Sequence, residues 1–258
     1  MDEFQAYRDA ARADGVPEHI IDLGLSFARP RIELSAESEG GGNLAGTYGG
    51  HPRLPPDIDW DGYPHFFASL DCAALPQDVL DFPLPRDGEL LFFADKHDGE
   101  DNSEGRVIHV PAGTATVERF FQYDEEEYDP SPYTEPHPIY ARRFWDMPTS
   151  YDEVVIAADP ERSRLYREHD LDDYQQGHEV WRYDLTLGGH AFSPQDPPLP
   201  NTPPDEKGEE WLLLAQAQHQ LGYFPEFTTV HFWFIRRSDL EEGDFANVKV
   251  ETFSSPPP

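Results

Sequence analysis

The sequence predicts an α+β fold, on three observations. Compact apolar runs such as Phe66-Phe67-Ala68-Ser69-Leu70 and Leu90-Leu91-Phe92-Phe93-Ala94 are bounded by turn residues, the pattern of buried strands. The segment from Phe4 to Phe27 spaces its apolar residues as short helices do. Two distant stretches also resemble each other, each with a Gly-Gly-His, a proline-bearing connection and then a pair of apolar strands. The chain has 258 residues, 38% hydrophobic and 13% aromatic, enough large apolar surface to bury a core without disulfides.

Taken in order, helical spacing at Phe4, Tyr7 and Ala11 and then at Ile20, Ile21, Leu23, Leu25 and Phe27 is broken at Gly15-Val16-Pro17. That gives one or two short peripheral helices in an N-terminal segment, 1–30, ahead of a single domain over 31–253. A strand over 31–36 leads into a Gly/Pro-dense stretch, 39–56, read as loop. Strands over 64–70 and 88–94 flank a helical turn near 77–80, and further strands are expected over 106–110, 114–121 and 139–145. Residues 124–138, with four consecutive carboxylates at 124–127 ahead of four prolines, read as a solvated loop. A polar helix over 160–176 is capped by Asp159, and 194–208 is a proline-rich connection. Strands over 211–218, 230–237 and 248–253 close the sheet, and 254–258 is a disordered tail.

The repeat aligns Gly49-Gly50-His51 and the strands near 66–70 and 90–94 with Gly188-Gly189-His190 and the strands near 212–215 and 232–235. It implies two half-units, 45–121 and 185–253, that share one core because neither buries its apolar face alone. Chance recurrence of common loop residues is the competing reading.

Charge narrows the partners. There are 51 acidic and 19 basic residues, a net charge of -32. That field repels phosphate backbones and anionic lipid, so neither nucleic acid nor membrane is expected, and a basic protein is the favoured partner. The same acidity also fits solubility in an acidic or salt-rich proteome. No run approaches the roughly 18 apolar residues of a membrane span, and Met1 to Ala13 is too charged for an export signal, so a cytoplasmic location is expected. A lone cysteine, Cys72, agrees with a reducing compartment.

No catalytic residue, metal site or cofactor is expected. There is no Gly-x-Ser-x-Gly, and Cys72 has no basic neighbour in sequence. The 11 histidines include no His-Glu-x-x-His, and His65, His109 and His231 lie on apolar strands as structural residues. Gly40-Gly41-Gly42 lacks the lysine of a phosphate loop. The candidate binding site is the loop with Gly49, Gly50, His51 and Pro52, walled by Trp60 and completed by amide contacts from Gln216 and Gln218 on the facing unit. The competing reading is that this loop only starts the fold. For a basic partner, Glu125, Glu126, Glu127 and Tyr128 offer carboxylates around an aromatic anchor.

Five segments, in order, carry a family resemblance. They are Gly49-Gly50-His51-Pro52-Arg53-Leu54-Pro55 ahead of Trp60, the stretch 66–75 leading to Gly88-Glu89-Leu90-Leu91-Phe92-Phe93, Leu212-Leu213-Leu214-Ala215-Gln216, and Phe232-Trp233-Phe234-Ile235 through Asp239-Leu240 to Asp244-Phe245. Together they resemble the YwqG family, a bacterial domain of unknown function. Ser69 stands where the family usually has glutamine, and 224–229 where it has Trp-Gly-Asp. The resemblance implies an α+β fold with a curved, mostly antiparallel sheet. Members occur beside polymorphic-toxin genes, which implies a toxin-neutralising or other protein-binding role. The expectation is a non-enzymatic immunity or inhibitor protein. The alternative is an enzyme or small-ligand protein using a cleft from Gly49 to Trp60.

Overall fold

The computed structural model describes residues 3–36, 42–95, 104–120, 135–149, 155, 158–174, 185–191, 210–221 and 224–255, with side chains at 218–221, 224–228 and 254–255 left aside. Helix α1 spans Glu3–Ala13 and α2 Glu18–Leu25. Gly15 turns the chain between them in the left-handed region (φ 80°), and Pro17, with φ fixed near -64°, starts α2. Helix α3, Pro160–Glu168, begins where the Asp159 carboxylate accepts the Glu161 N–H at 3.0 Å and a proline fills the first helical position. It stops at Glu168 and does not run to 176. Tyr7, Ala11, Ile20, Ile21 and Tyr166 pack these helices into one satellite cluster. A fourth helix, α4, Arg237–Glu242, ends on Gly243 in the left-handed region.

The strands are β1 (Arg29–Ser35), β2 (Asn43–Tyr48), β3 (Arg53–Leu54), β4 (His65–Asp71), β5 (Glu89–Ala94), β6 (Gly105–Val110), β7 (Val117–Glu118), β8 (His137–Asp146), β9 (Leu185–Gly188), β10 (Trp211–Leu221), β11 (Phe224–Arg236) and β12 (Lys249–Ser255). Ten of them form one sheet in the order β12-β11-β10-β9-β1-β8-β2-β4-β5-β6, with every neighbouring pair antiparallel. The pair β3–β7 is a separate ribbon. The sheet curls until its two edges touch, and a Cβ placed on Gly105 of β6 would lie 2.5 Å from Val250 Cγ2 of β12. Only glycine lets the edges approach this closely. The result is a nearly closed barrel, the curved antiparallel α+β fold that the family resemblance implies.

The strand order reads the same from both ends. Proceeding outward from the central β1–β8 pair, β9, β10, β11 and β12 mirror β2, β4, β5 and β6. Register supports the correspondence: both β4–β5 and β10–β11 skip one residue at the same place, Phe67 in one and Leu214 in the other. In chain order β1 precedes β2 and β8 precedes β9, yet β1 pairs with β9 and β8 with β2. Each half therefore lends its first strand to the other.

Both halves also fill the interior. Trp233 of β11 meets Phe67 of β4 and Phe92 of β5 edge-on, at 5.5 and 5.4 Å between ring centroids. Its Nε1–H donates to the Phe93 carbonyl at 2.9 Å, so the buried indole is satisfied from the opposite half. Phe234, one residue beyond Trp233, points outward into a second cluster with Trp211, Leu213 and Phe232.

Four local expectations need correction. Residues 43–48, read as loop, form β2, because pairing with β8 and β4 on both sides overrides a weak local signal. Residues 77–80 make a turn and not a helix, closed by Gln77 Nε2 donating to the Cys72 and Leu75 carbonyls. The strand expected over 114–121 is only Val117–Glu118. Strand β12 takes in Ser254 and Ser255, residues assigned to the tail. The loops read at 124–134 and 194–208 lie outside the described residues.

Candidate functional site

The first Gly-Gly-His follows directly from β2. Gly49 and Gly50 have φ of 72° and 77°, and the Gly49 N–H donates to the Phe67 carbonyl at 2.7 Å. A Cβ on Gly50 would meet Pro136 Cβ at 3.0 Å, so both glycines answer a backbone need. The segment 117–120 lies across the loop: β7 pairs with β3, and the Arg119 N–H donates to the Pro52 carbonyl at 2.9 Å. This places the Phe120 ring against the His51 imidazole, centroids 4.7 Å apart. Phe120 is 71% exposed, an apolar ring on the surface beside His51, and Val117 of β7 is 47% exposed.

Trp60 packs at the Leu54 end of that loop. Its Nε1–H donates to the Pro64 carbonyl at 2.9 Å, and its ring packs toward Phe93 among Leu54, Phe66 and Leu91. The aromatic beside His51 is Phe120, hidden in the sequence because it reads as part of a strand that ends at Glu118.

The second Gly-Gly-His follows β9 in the same way, with Gly188 and Gly189 at φ 68° and 79°. A Cβ on Gly189 would lie 3.2 Å from Arg31 Cβ, much as that of Gly50 would lie 3.0 Å from Pro136 Cβ. The residue two before each glycine pair is also the same, Thr47 and Thr186, so the repeat is longer than Gly-Gly-His. Here the surroundings are buried and ionic. Arg31 donates through Nη1 to Asp146 Oδ1 at 2.7 Å and through Nη2 to Glu33 Oε1 at 2.5 Å. Arg142 Nε donates to Glu33 Oε2 at 2.8 Å, and the His190 N–H to Asp146 Oδ2 at 2.7 Å. The His190 ring contacts the Phe27 carbonyl through Nε2 at 2.9 Å, and burial holds its pKa below the ordinary value, so it stays neutral.

These groups point to a structural role. Each carboxylate takes two donors, which balances buried charge and leaves little lone-pair capacity for proton transfer. Gln216 joins this second turn, its Nε2 reaching the His190 carbonyl at 3.5 Å, and sits opposite Thr186 as Ser69 sits opposite Thr47. The Gln218 side chain and all of Glu125, Glu126, Glu127 and Tyr128 lie outside the described residues.

Cys72 is fully buried, and burial pushes its thiol up to about 12, far from a thiolate nucleophile. His65 and His231 are buried on strands, while His109 is partly exposed with Nε2 3.0 Å from the Asp87 carbonyl. Among the described residues no group of three or more His, Cys, Asp or Glu is placed to hold a metal ion, and no helix is long and apolar enough to cross a membrane.

No curated protein matches the chain. The family comparison does: the domain of unknown function DUF1963 matches residues 47–252, from the threonine that opens the first turn to Thr252 in β12, so that both Gly-Gly-His turns fall within it. The chain belongs to the DUF1963 family.

Proposed function

We propose that this chain is a binding protein for a basic protein partner, an acidic inhibitor or immunity-type molecule of the cytoplasm, and that it stands among YwqG-like members of its family. The observation that carries the reading is the exposed Phe120 ring against His51 on a chain of net charge -32. An apolar anchor inside a strongly acidic field suits a cationic surface: the field steers the encounter and the desolvated ring holds it. In sequence the patch runs on into Asp124-Glu125-Glu126-Glu127-Tyr128-Asp129, which adds carboxylates next to the anchor. The alternative cleft from Gly49 to Trp60 is weakened because Trp60 packs on Phe93.

The test is a salt-eluted capture from the source cell, followed by kinetics on the purified partner. Phe120→Ala should speed dissociation by about 30-fold, the effect of losing a ~2 kcal/mol hot spot. Changing Glu125, Glu126, Glu127 and Asp129 to amides should slow association, and 1 M salt should do the same. A partner that is acidic or neutral, affinity indifferent to salt, or an unchanged dissociation rate for Phe120→Ala would each defeat the proposal.

A further inference from the structure

Strand β12 is joined to the barrel unequally on its two sides. Along one edge it pairs with β11 over seven positions, from Lys249 opposite Phe234 to Ser255 opposite Thr228. Its other edge meets β6, the far end of the sheet, and no ladder joins these two strands among the described residues. Every neighbouring pair in the ten-stranded sheet is antiparallel, so β6 and β12 run antiparallel where they meet. With Gly105 seated on Val250, register sets Glu104 against Glu251 and Arg106 against Lys249. Like charges directly across a pair oppose zippering.

Burial follows the same division. Of Lys249 to Phe253 only Val250 is buried, whereas Val230 to Ile235 of β11 are buried without exception. Side chains tie β12 at two points, Lys249 Nζ 4.5 Å from the Trp211 ring centroid and Thr252 Oγ1 2.9 Å from His231 Nδ1. Before β12 the chain is anchored by Phe245 in the main core, and Ala246 and Asn247 that follow are exposed. A hinge over 246–248 would therefore let β12 leave while Phe245 stays. The barrel has its own closure beneath β12: Trp233 of β11 donates to the Phe93 carbonyl of β5 and packs edge-on against Phe67 and Phe92. Those contacts join the two halves without help from β12.

We propose that β12 is a detachable strap, which leaves β11 and β6 as one cooperative unit while the rest of the sheet stays paired. Release bares the edge of β11 along the seam, a row of backbone donors and acceptors of the kind that takes up an extended strand. The device is independent of the basic partner and of Phe120.

Native-state hydrogen exchange on the full chain, followed by peptide mass in low concentrations of guanidinium chloride, tests the proposal. Peptides covering 249–255 should exchange at least about 100-fold faster than those covering β1, with a shallower dependence on denaturant because the opening exposes little surface. Strand β6, the other end of the sheet, should exchange more slowly than β12. Val250→Ala, which trims the one buried side chain of 249–253, should speed β12 exchange about tenfold. Ile32→Val lies in the part that stays folded, fully buried in β1, so it should speed β1 exchange about fivefold and leave β12 unchanged. Exchange of β12 at the rate and denaturant slope of β1, exchange of β6 as fast as that of β12, no response of β12 to Val250→Ala, or equal acceleration of both strands by Ile32→Val would each overturn the proposal.

Discussion

Replacing Asp146 by Asn removes one charge from the most deeply buried ion cluster described. Asp146 is 3% exposed and accepts from two donors, the Arg31 guanidinium and the His190 main chain, both at 2.7 Å. An amide presents one oxygen and one NH₂, so one of those donors must face another donor. Arg31, itself 4% exposed, is left sharing Glu33 with Arg142. Breaking a buried pair while its partner stays charged costs about 3–5 kcal/mol. For a chain of this length each kcal/mol moves the melting temperature by about 2–4 °C, so a fall of about 6–20 °C is expected. Denaturant unfolding with an unchanged m-value gives the free energy directly. Asp78→Asn is the internal control: the Arg86–Asp78 pair has the same 2.7 Å separation but is largely exposed, and its loss should cost no more than about 1 kcal/mol. If Asp146→Asn is no worse than Asp78→Asn, the cluster does not hold β1 to β8 and the reading of it as structural fails.

Two further perturbations address the other turn chemistry and the seam. Because burial lowers the folded pKa of His190, the unfolded chain takes up its proton first as pH falls, so stability should drop below about pH 6.5; His190→Gln should flatten that limb, and an identical slope in both proteins would remove His190 as its cause. Gly105→Ala should cost about 1–3 kcal/mol in a denaturant melt, since the new Cβ would sit 2.5 Å from Val250 Cγ2 and 2.7 Å from the Phe93 carbonyl, and trimming Val250→Ala in the same chain should recover part of the loss; an unaffected Gly105→Ala would mean that the edges do not touch.

What the sequence made legible was the part written in strong local signals. The runs through Phe67, Phe92 and Trp233 are apolar enough to be strands in any context, and Asp159-Pro160 announces a helix start on its own. Strand β2 was invisible because Asn43, Ala45 and Gly46 have little strand character. Its identity comes from neighbours on either side, β8 and β4, which lie far away in the chain. Gly46 shows how tight that place is, since a Cβ there would fall 2.0 Å from the Ser69 carbonyl. The candidate loop was found through Gly49, Gly50 and His51, but the Phe120 ring beside His51 was missed, because only the pairing of β7 with β3 brings it there and that pairing is a tertiary property. Arg31, Glu33 and Asp146 carried no signal at all: each is an ordinary charge in sequence, and only strand pairing across more than a hundred residues makes them a buried cluster. A longer comparison of the two turns would have caught Thr47 and Thr186.

The exchange of first strands explains why the two meeting lines of the halves behave so differently. At the β1–β8 line the halves are joined by seven paired positions and by Arg31, Glu33, Arg142 and Asp146, two residues from each half. That junction cannot be cut at residue 47, where the family match begins, because β1 lies earlier in the chain and yet occupies the middle of the sheet between β9 and β8. At the opposite line the same two halves meet through Gly105 and Val250, with equal charges facing each other on both sides of the contact. By register Arg106 and Lys249 are counterparts, one opposite Phe93 and the other opposite Phe234, so any repetition of a half-unit with a cation at this position brings two cations together when the barrel closes. Opposite charges could have sealed the seam as the ion cluster seals β1 to β8. By register the seam instead sets Glu104 against Glu251 and Arg106 against Lys249, so the edges meet through the close Gly105–Val250 contact and not through a charge ladder of the kind that joins β1 to β8.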